Sequence, residues 1–316
     1  MNTTDIPTPP QARFPVDLQV HTTCSDGTMT PTEVVAWAAR TGVEVLAVTD
    51  HDSIDGVEEA LLAGRQYNVQ VIPAVELSLR HEPEKDFRDL DLLGYWIDPW
   101  DTELRSVLER VQAGRIAQKR AQVERLREMG YRITWDEVLA LAQGMPGRPH
   151  IAQVLVRHHP EEFPDVEAVF TRLLRPESPA YVHRPFALSL DEAVRIIRRA
   201  GGIPVLAHPG LYTTVRDMTA MIVRARRLGV LGLEVWYPYH KTRVCAGCTE
   251  EERRALCLRF ERLAERLGMV KTGGSDFHGL HKDVHLGEQG LTWPQFEELQ
   301  ARVAPLVRSL EYTCVH

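Results

Sequence analysis

Asp17-Leu18-Gln19-Val20-His21-Thr22, followed at once by Ser25-Asp26-Gly27, is a short apolar run that ends in side chains able to hold a metal ion. The same ending recurs along the chain. Val45-Leu46-Ala47-Val48-Thr49 runs into Asp50-His51-Asp52, and Val71-Ile72-Pro73-Ala74-Val75 runs into Glu76. Val205-Leu206-Ala207 leads to His208-Pro209, and Gly273-Gly274-Ser275 leads to Asp276-Phe277-His278. Short apolar runs bounded by turn residues read as buried strands. Imidazoles and carboxylates are the donors that divalent ions of borderline hardness prefer. A barrel enzyme assembles one site from the ends of successive strands, so the pattern implies a metal-dependent hydrolase. Gln19 is the anomaly, standing where the first His of an H-x-H pair is expected.

Working outward, apolar strand candidates near 16–20, 45–49, 70–75, 88–95, 203–207, 231–236 and 269–273 alternate with helix-period segments at 31–41, 55–67, 189–200, 214–228 and 249–267. Thr30 before Pro31, with Glu33 three residues on, predicts a capped helix start, and Gly42, Gly229 and Gly268 predict helix ends. Alternation predicts parallel β/α units. The ligand candidates follow strands from both ends of the order, and a closed ring brings those together where a doubly wound sheet does not. The expected fold is therefore α/β: a distorted (β/α)7 barrel with an inserted helical subdomain. The barrel is expected over 14–97 and 186–310, after a flexible tail at 1–13. The insertion over 98–185 opens with a charged helix from Glu103 to Met129 and continues with helices near 135–143, 149–158 and 165–174. It ends in a link bounded by Pro176 and Pro179, and is expected to cover the strand C-termini.

Composition narrows the function classes. A chain of 316 residues with 44% hydrophobic and 26% charged residues is ordinary for a soluble enzyme and can bury a sizeable core. A formal net charge of −7 opposes broad capture of long duplex nucleic acid, though not of a short nucleotide. No run suits a membrane helix, and the polar, Pro-rich start lacks the pattern of a signal peptide, so a cytoplasmic location is expected. Five scattered cysteines do not form a disulfide framework. Cys245-Ala246-Gly247-Cys248 reads as two free thiols in a loop, ahead of a structural zinc site with His240 and Cys257 or a redox pair.

D-L-x-x-H-T-x-x-S-D-G, T-D-H-D, a strand ending in E-L-S, A-H-P-G and G-G-S-D-F-H-G, in that order, resemble the signature of the PHP (polymerase and histidinol phosphatase) phosphoesterases. The match spans both ends of the chain. The resemblance implies a distorted seven-stranded barrel carrying two or three divalent ions, Mn, Fe or Zn, with Mg possible. His21, with the anomalous Gln19, Glu76 and Asp276 would surround the first ion. Glu76 would bridge to a second, held also by His208 and Asp91, and Asp26, His51 and His278 would hold a third. Asp91, in Asp89-Leu90-Asp91-Leu92-Leu93-Gly94-Tyr95, stands where the family usually has His. Gln19 and Asp91 both move preference from Zn²⁺ toward Mn²⁺, Fe²⁺ or Mg²⁺.

The insertion resembles the subgroup acting on nucleotides and short RNA ends. The resemblance implies hydrolysis of the 3′-phosphate of nucleoside 3′,5′-bisphosphates, and of 5′-ends of short RNA, through a hydroxide bridging the ions. In this scheme Glu76, Asp276 and His208 are the catalytic residues, with Asp276 accepting a proton and His208 or His278 protonating the leaving oxygen. Arg148 and His150, at a helix start where Arg can grip phosphate in bidentate fashion, are expected to hold the second phosphate. Tyr181, His183, Arg184 and His240 are weaker substrate candidates. A histidinol-phosphate-type phosphatase and a degenerate nucleotide-binding domain are the competing readings. Asp52 and Asp55 read as helix-start acids, Glu234 as a barrel salt bridge at least as readily as a catalytic residue, and His81, His158 and His159 as surface residues.

Overall fold

A computed structural model describes residues 10–142, 145–175, 178–245, 247–280 and 282–307. The first nine residues of the expected tail, Pro176 and the end of the barrel beyond 307 lie outside the described residues. The chain divides into two compact units, one of residues 1–105 and 188–316, the other of 106–187.

The first unit is built on seven strands in chain order: β1 (Val16–Val20), β2 (Val45–Val48), β3 (Gln70–Ser78), β4 (Asp91–Tyr95), β5 (Ile203–Leu206), β6 (Gly232–Trp236) and β7 (Val270–Gly273). Around them lie α1 (Pro31–Thr41), α2 (Val57–Tyr67), α7 (Leu190–Arg199), α8 (Met218–Arg227), α9 (Glu250–Arg266) and α10 (Trp293–Val303). Interleaved apolar side chains from β1 to β5 and β7, among them Leu18, Ala47, Ile72, Leu93, Val205 and Val270, form a buried core with Phe296, Leu299 and Val303 of α10, and Trp236 of β6 packs against it. Fully burying one such side chain contributes about 1.5–3 kcal/mol, so the ring of short strands is held chiefly by what it encloses. Thr30 and Glu33 close the start of α1 with reciprocal bonds of 3.2 and 2.8 Å, as their spacing predicts. Gly42 ends that helix at φ 90°, a conformation costly for any residue with a Cβ.

The expectation of uniformly parallel units is corrected at β4, which runs antiparallel to both β3 and β5. The physical reason is the connection. Residues 79–90 hold only a single 3₁₀ turn at Pro83–Lys85, and without a crossover helix the chain returns beside the strand it left. One consequence decides the site. The start of β4, Asp91, pairs with Ser78 at the end of β3, so it lies at the same rim as the other strands' C-termini.

The ring is nearly closed by a seam between β1 and β7. Asp276 N donates to Gln19 O at 2.9 Å, His21 N to Phe277 O at 2.8 Å, and Ser275 N to Asp17 Oδ1 at 2.8 Å. A Cβ at Gly274 would stand 2.4 Å from Gln19 N, so only glycine lets the two backbones approach this closely.

The second unit is helical. It contains most of α3 (Thr102–Glu128), then α4 (Trp135–Leu141), α5 (Arg148–His158) and α6 (Val166–Val169), which runs on as a π turn over Phe170–Leu174. Val123, Leu126, Val138, Ile151, Val154, Leu155, Phe163 and Leu174 form its own buried core.

Candidate metal centre

Glu76 is the hub of the barrel rim. Its side chain is fully buried. Oε1 accepts from Gln19 Nε2 at 3.1 Å and faces His208 Nε2 at 3.0 Å. Oε2 lies 3.3 Å from His21 Nε2 and 3.2 Å from His51 Nδ1. One carboxylate thus touches residues from the ends of β1, β2 and β5. Asp276 stands beside it, with Oδ1 3.1 Å from His21 Nε2 and 3.7 Å from His278 Nδ1. Asp26 Oδ1 is 3.4 Å from His278 Nε2 and 3.8 Å from His21 Nδ1. The His21 ring stacks on His278 at 4.2 Å and leans on His51 at 4.7 Å.

All eight residues expected as ligands therefore lie at one rim. Two sets among them bring their donor atoms within 4.8 Å of one another: His21, Asp26, His51 and His278, and His51, Glu76 and Asp91. The donor chemistry fits divalent ions. So do the unsatisfied atoms: Gln19 Oε1, His21 Nε2 and Glu76 Oε2 are buried without a hydrogen bond. Buried polar atoms seldom go unsatisfied unless an ion or water completes them.

The protonation pattern points the same way. Burial alone would raise the Glu76 carboxyl, but His51, His208 and His21 hold it below the usual carboxylate range. Burial opposes charge on His208, yet its bond to Glu76 and the charges of Glu76, Asp91 and Glu234 push it up to about 10. Asp91 rises to about 7, through burial and the repulsion of Glu76. In the metal-free protein, protons on imidazoles neutralise the carboxylates, and cations would displace them.

Several side chains that frame the site were not legible as such in the sequence. Asp50 accepts from Thr22 N, Thr22 Oγ1 and Ser25 Oγ at 2.7, 2.6 and 2.5 Å, pinning the loop that carries Asp26. Tyr237 donates to Asp276 Oδ2 at 2.6 Å, and Tyr212 ties Asp91 N and Ala207 O together through its hydroxyl at 3.0 and 2.8 Å. These tyrosines sit in apolar loop segments; nothing in their spacing marks them. Glu234 is corrected from a barrel salt bridge to a backbone anchor: Oε2 accepts His208 N at 2.7 Å, and burial raises its carboxyl to about 8.

The PHP domain pattern matches residues 17–177. Over 302 residues the chain is 31% identical to the 3′,5′-nucleoside bisphosphate phosphatase of Chromobacterium violaceum, which covers 94% of this chain and 96% of that one. The chain belongs to the PHP domain family. A 5′-3′ exoribonuclease of Haemophilus influenzae is 32% identical over 83% of this chain and 89% of its own. The solved structure of a protein described as a metal-dependent phosphoesterase from Bifidobacterium adolescentis matches with a TM-score of 0.73 and 29% identity, over 94% of this chain and 98% of that one. The PHP chain is accordingly a metal-dependent phosphoesterase with a mixed seven-stranded, nearly closed barrel.

His240, a substrate candidate, faces Glu288 at 3.8 Å. Arg148, His150 and Arg184 belong to the helical unit and are half-buried. There His150 Nδ1 accepts from Gly147 N at 3.0 Å, closing the start of α5, and the Arg148 guanidinium lies 5.8 Å from the Phe170 ring. Asp52 and Asp55 do not start α2, which begins at Val57. Asp52, at φ 55°, accepts from Ser78 N at 3.0 Å and ties the end of β3, while Asp55 accepts from Ser53 Oγ. His158 and His159, expected as surface residues, are half-buried. They bind Glu137 Oε1 at 2.6 Å and Arg132 N at 2.9 Å within the helical unit, and His81 is half-buried. Cys245 and Cys248 are joined in a disulfide, not free, because the turn they bracket brings their Cα atoms to 5.1 Å. Among the described residues no helix is long and apolar enough to cross a membrane.

Proposed function

We propose that this phosphoesterase removes a terminal phosphate monoester from a nucleotide, the 3′-phosphate of nucleoside 3′,5′-bisphosphates, and also acts on 5′-ends of short RNA. The observation that carries it is the Glu76 carboxylate, met by four side chains from three strand ends. The substrate class is supported by the likeness to a nucleoside bisphosphate phosphatase and to an exoribonuclease.

The ligands are proposed to be His21, Asp26, His51, Glu76, Asp91, His208, Asp276 and His278, for two or three divalent ions, Mn²⁺ or Fe²⁺ in preference to Zn²⁺. Such ions neutralise phosphoryl oxygens and lower the pKa of water toward neutrality. Glu76, with one oxygen turned to His208 and the other to His21 and His51, would help hold these ions. Asp276, with Oδ2 held by Tyr237 and Oδ1 3.1 Å from His21 Nε2, would accept the proton of an attacking water. Tyr212 and Tyr237 flank the His208 ring at 5.8 and 5.4 Å, fixing its plane. Arg148 at the start of α5 is proposed for the second phosphate, where its guanidinium and the helix amides both favour an anion.

A phosphate-release screen over nucleoside 3′,5′-bisphosphates, 5′-phosphorylated short RNA, sugar phosphates and histidinol phosphate with Mn²⁺ tests the reading. The bisphosphates are expected among the best substrates, and their absence from that group overturns the substrate assignment.

A further inference from the structure

The Cys245–Cys248 disulfide lies outside the metal centre, yet the loop that carries it begins at that centre. Strand β6 ends at Trp236, and Tyr237 and Tyr239, both buried, follow at once. Tyr237 donates to Asp276 Oδ2 at 2.6 Å, and its ring lies 5.4 Å from that of His208. Tyr239 packs 5.0 Å from the Tyr237 ring, and its hydroxyl accepts from Gly210 N at 3.2 Å, close behind His208. From Tyr239 onward the backbone is a series of linked turns. Thr242 N donates to Tyr239 O at 3.0 Å, Cys245 N to Thr242 O at 3.2 Å, and Cys248 N to Cys245 O at 2.7 Å. Thr242 Oγ1 adds a second bond to Tyr239 O at 2.7 Å. The disulfide staples the last of these turns, directly ahead of Thr249, which caps α9.

The position of the bridge suits a reversible one better than a structural one. Its cysteines are three residues apart, and the restraint that a disulfide places on the unfolded chain is smallest for short loops. Both cysteines are half-buried, while Val244, Gly247 and Thr249 beside them are exposed, which leaves the sulfurs open to a reductant. C-x-x-C spacing also holds the second thiol where it can resolve a mixed disulfide formed at the first.

We propose that Cys245 and Cys248 form a redox switch: opened by a dithiol reductant, the pair releases the turns that seat Tyr237 and Tyr239, and turnover at the rim falls. A thiolate of the reductant attacks one sulfur of the bridge, forming a mixed disulfide, and the other cysteine leaves as a thiol. The reductant's second thiol then displaces the remaining cysteine. Two electrons and two protons pass to the protein, and the reductant becomes a disulfide. An oxidant of the disulfide class reverses the exchange. The effect on turnover rests on the proposed metal centre, whereas the effect on the loop does not.

The full chain is compared before and after treatment with dithiothreitol, which is removed by gel filtration without air. Alkylation with peptide mass spectrometry counts the thiols at 245 and 248, amide hydrogen exchange follows residues 238–249, and aryl-phosphate turnover is measured with Mn²⁺. Reduction is expected to free both thiols without denaturant and to speed exchange across that segment. Turnover is expected to fall about 10–100-fold, the usual effect of losing an outer partner of a metal ligand, and glutathione disulfide is expected to restore it. C245S/C248S should show the reduced-state exchange and turnover from the outset and ignore the reductant. A pair that opens only on denaturation, exchange that reduction leaves unchanged, or faster exchange with constant turnover overturns the switch and leaves the metal centre standing. A reductant effect that C245S/C248S retains also overturns it, because the responding thiol is then Cys24 or Cys257. An oxidised protein that turns over no aryl phosphate with Mn²⁺ overturns the metal centre and the switch together.

Discussion

Glu76 shows how much one residue can organise. Its two oxygens face Gln19, His208, His21 and His51, and its charge offsets the positive charge those imidazoles carry in the metal-free protein. Glu76→Gln keeps the shape but halves the acceptor capacity and removes the charge. It is expected to lose at least one bound ion, and to lower aryl-phosphate turnover by more than the roughly 10–100-fold typical of losing an outer partner. Metal analysis and steady-state rates on one preparation check both. Tyr237→Phe is the matching outer case. It leaves Asp276 Oδ2 without its 2.6 Å donor and is expected to weaken metal affinity or turnover about 10–100-fold, with an unchanged circular dichroism spectrum. Turnover within twofold of the unaltered enzyme would show that Asp276 needs no such support. The proposed ligands His21, His51, Glu76, His208 and Asp276 could be picked from the sequence because each follows its own apolar run. Tyr237, Tyr212 and the anchoring role of Glu234 could not, because their partners are brought to them only by folding.

At the scale of elements, the strands were legible from apolar runs, but their direction was not. Periodicity carries no sign for parallel or antiparallel, and the reversal of β4 follows from a connection that lacks a helix. That reversal is what brings Asp91 to the rim beside the end of β3. The start of α2 was misplaced for a related reason. Asp52 and Asp55 have helix-cap chemistry, yet the chain first wraps the end of β3. Capping elsewhere behaves as its residues imply. In α4, Thr134 and Glu137 form a reciprocal cap, and Glu137 also binds His158 at 2.6 Å. Its bonds from Thr134 and His158 lower the Glu137 carboxyl from 4.5 to about 2. A carboxyl depressed on folding adds stability above its unfolded pKa and loses it as pH falls through the folded one. Glu137→Gln is therefore expected to destabilise the helical unit by a few tenths to about 1.5 kcal/mol near neutral pH. The difference should shrink between about pH 4.5 and pH 2. Thermal melts across that range check it, and a constant difference would mean that charge plays no part in the cap.

For the whole molecule, the metal centre is also a fold device. Its proposed ligands come from the ends of β1, β2, β3, β5 and β7 and the start of β4, so ions held there would tie together segments from position 21 to position 278. They also cross the β1–β7 seam, where only a few hydrogen bonds close the ring. Ions that bind the folded barrel but not the unfolded chain add stability by mass action, about 2.7 kcal/mol at a free concentration a hundredfold above Kd. For a unit of this size that corresponds to roughly 5–11 °C in melting temperature. The second unit has its own core and contains none of the eight proposed rim ligands. Chelation is thus expected to lower the barrel's melting transition by that amount and to leave the helical unit's stability unchanged, with Mn²⁺ restoring the barrel. The effect should also depend on pH. His208 is held protonated, up to about 10, in the metal-free protein, so an entering ion must expel that proton. Apparent affinity should rise as pH rises, and the stabilisation by a fixed low Mn²⁺ concentration should be larger at pH 8 than at pH 6. Differential scanning calorimetry with and without chelator at the two pH values reads both effects. Equal stabilisation at the two pH values would mean that the ions bind without displacing protons from the rim imidazoles, and a barrel transition indifferent to chelator would mean that the ring closes without them.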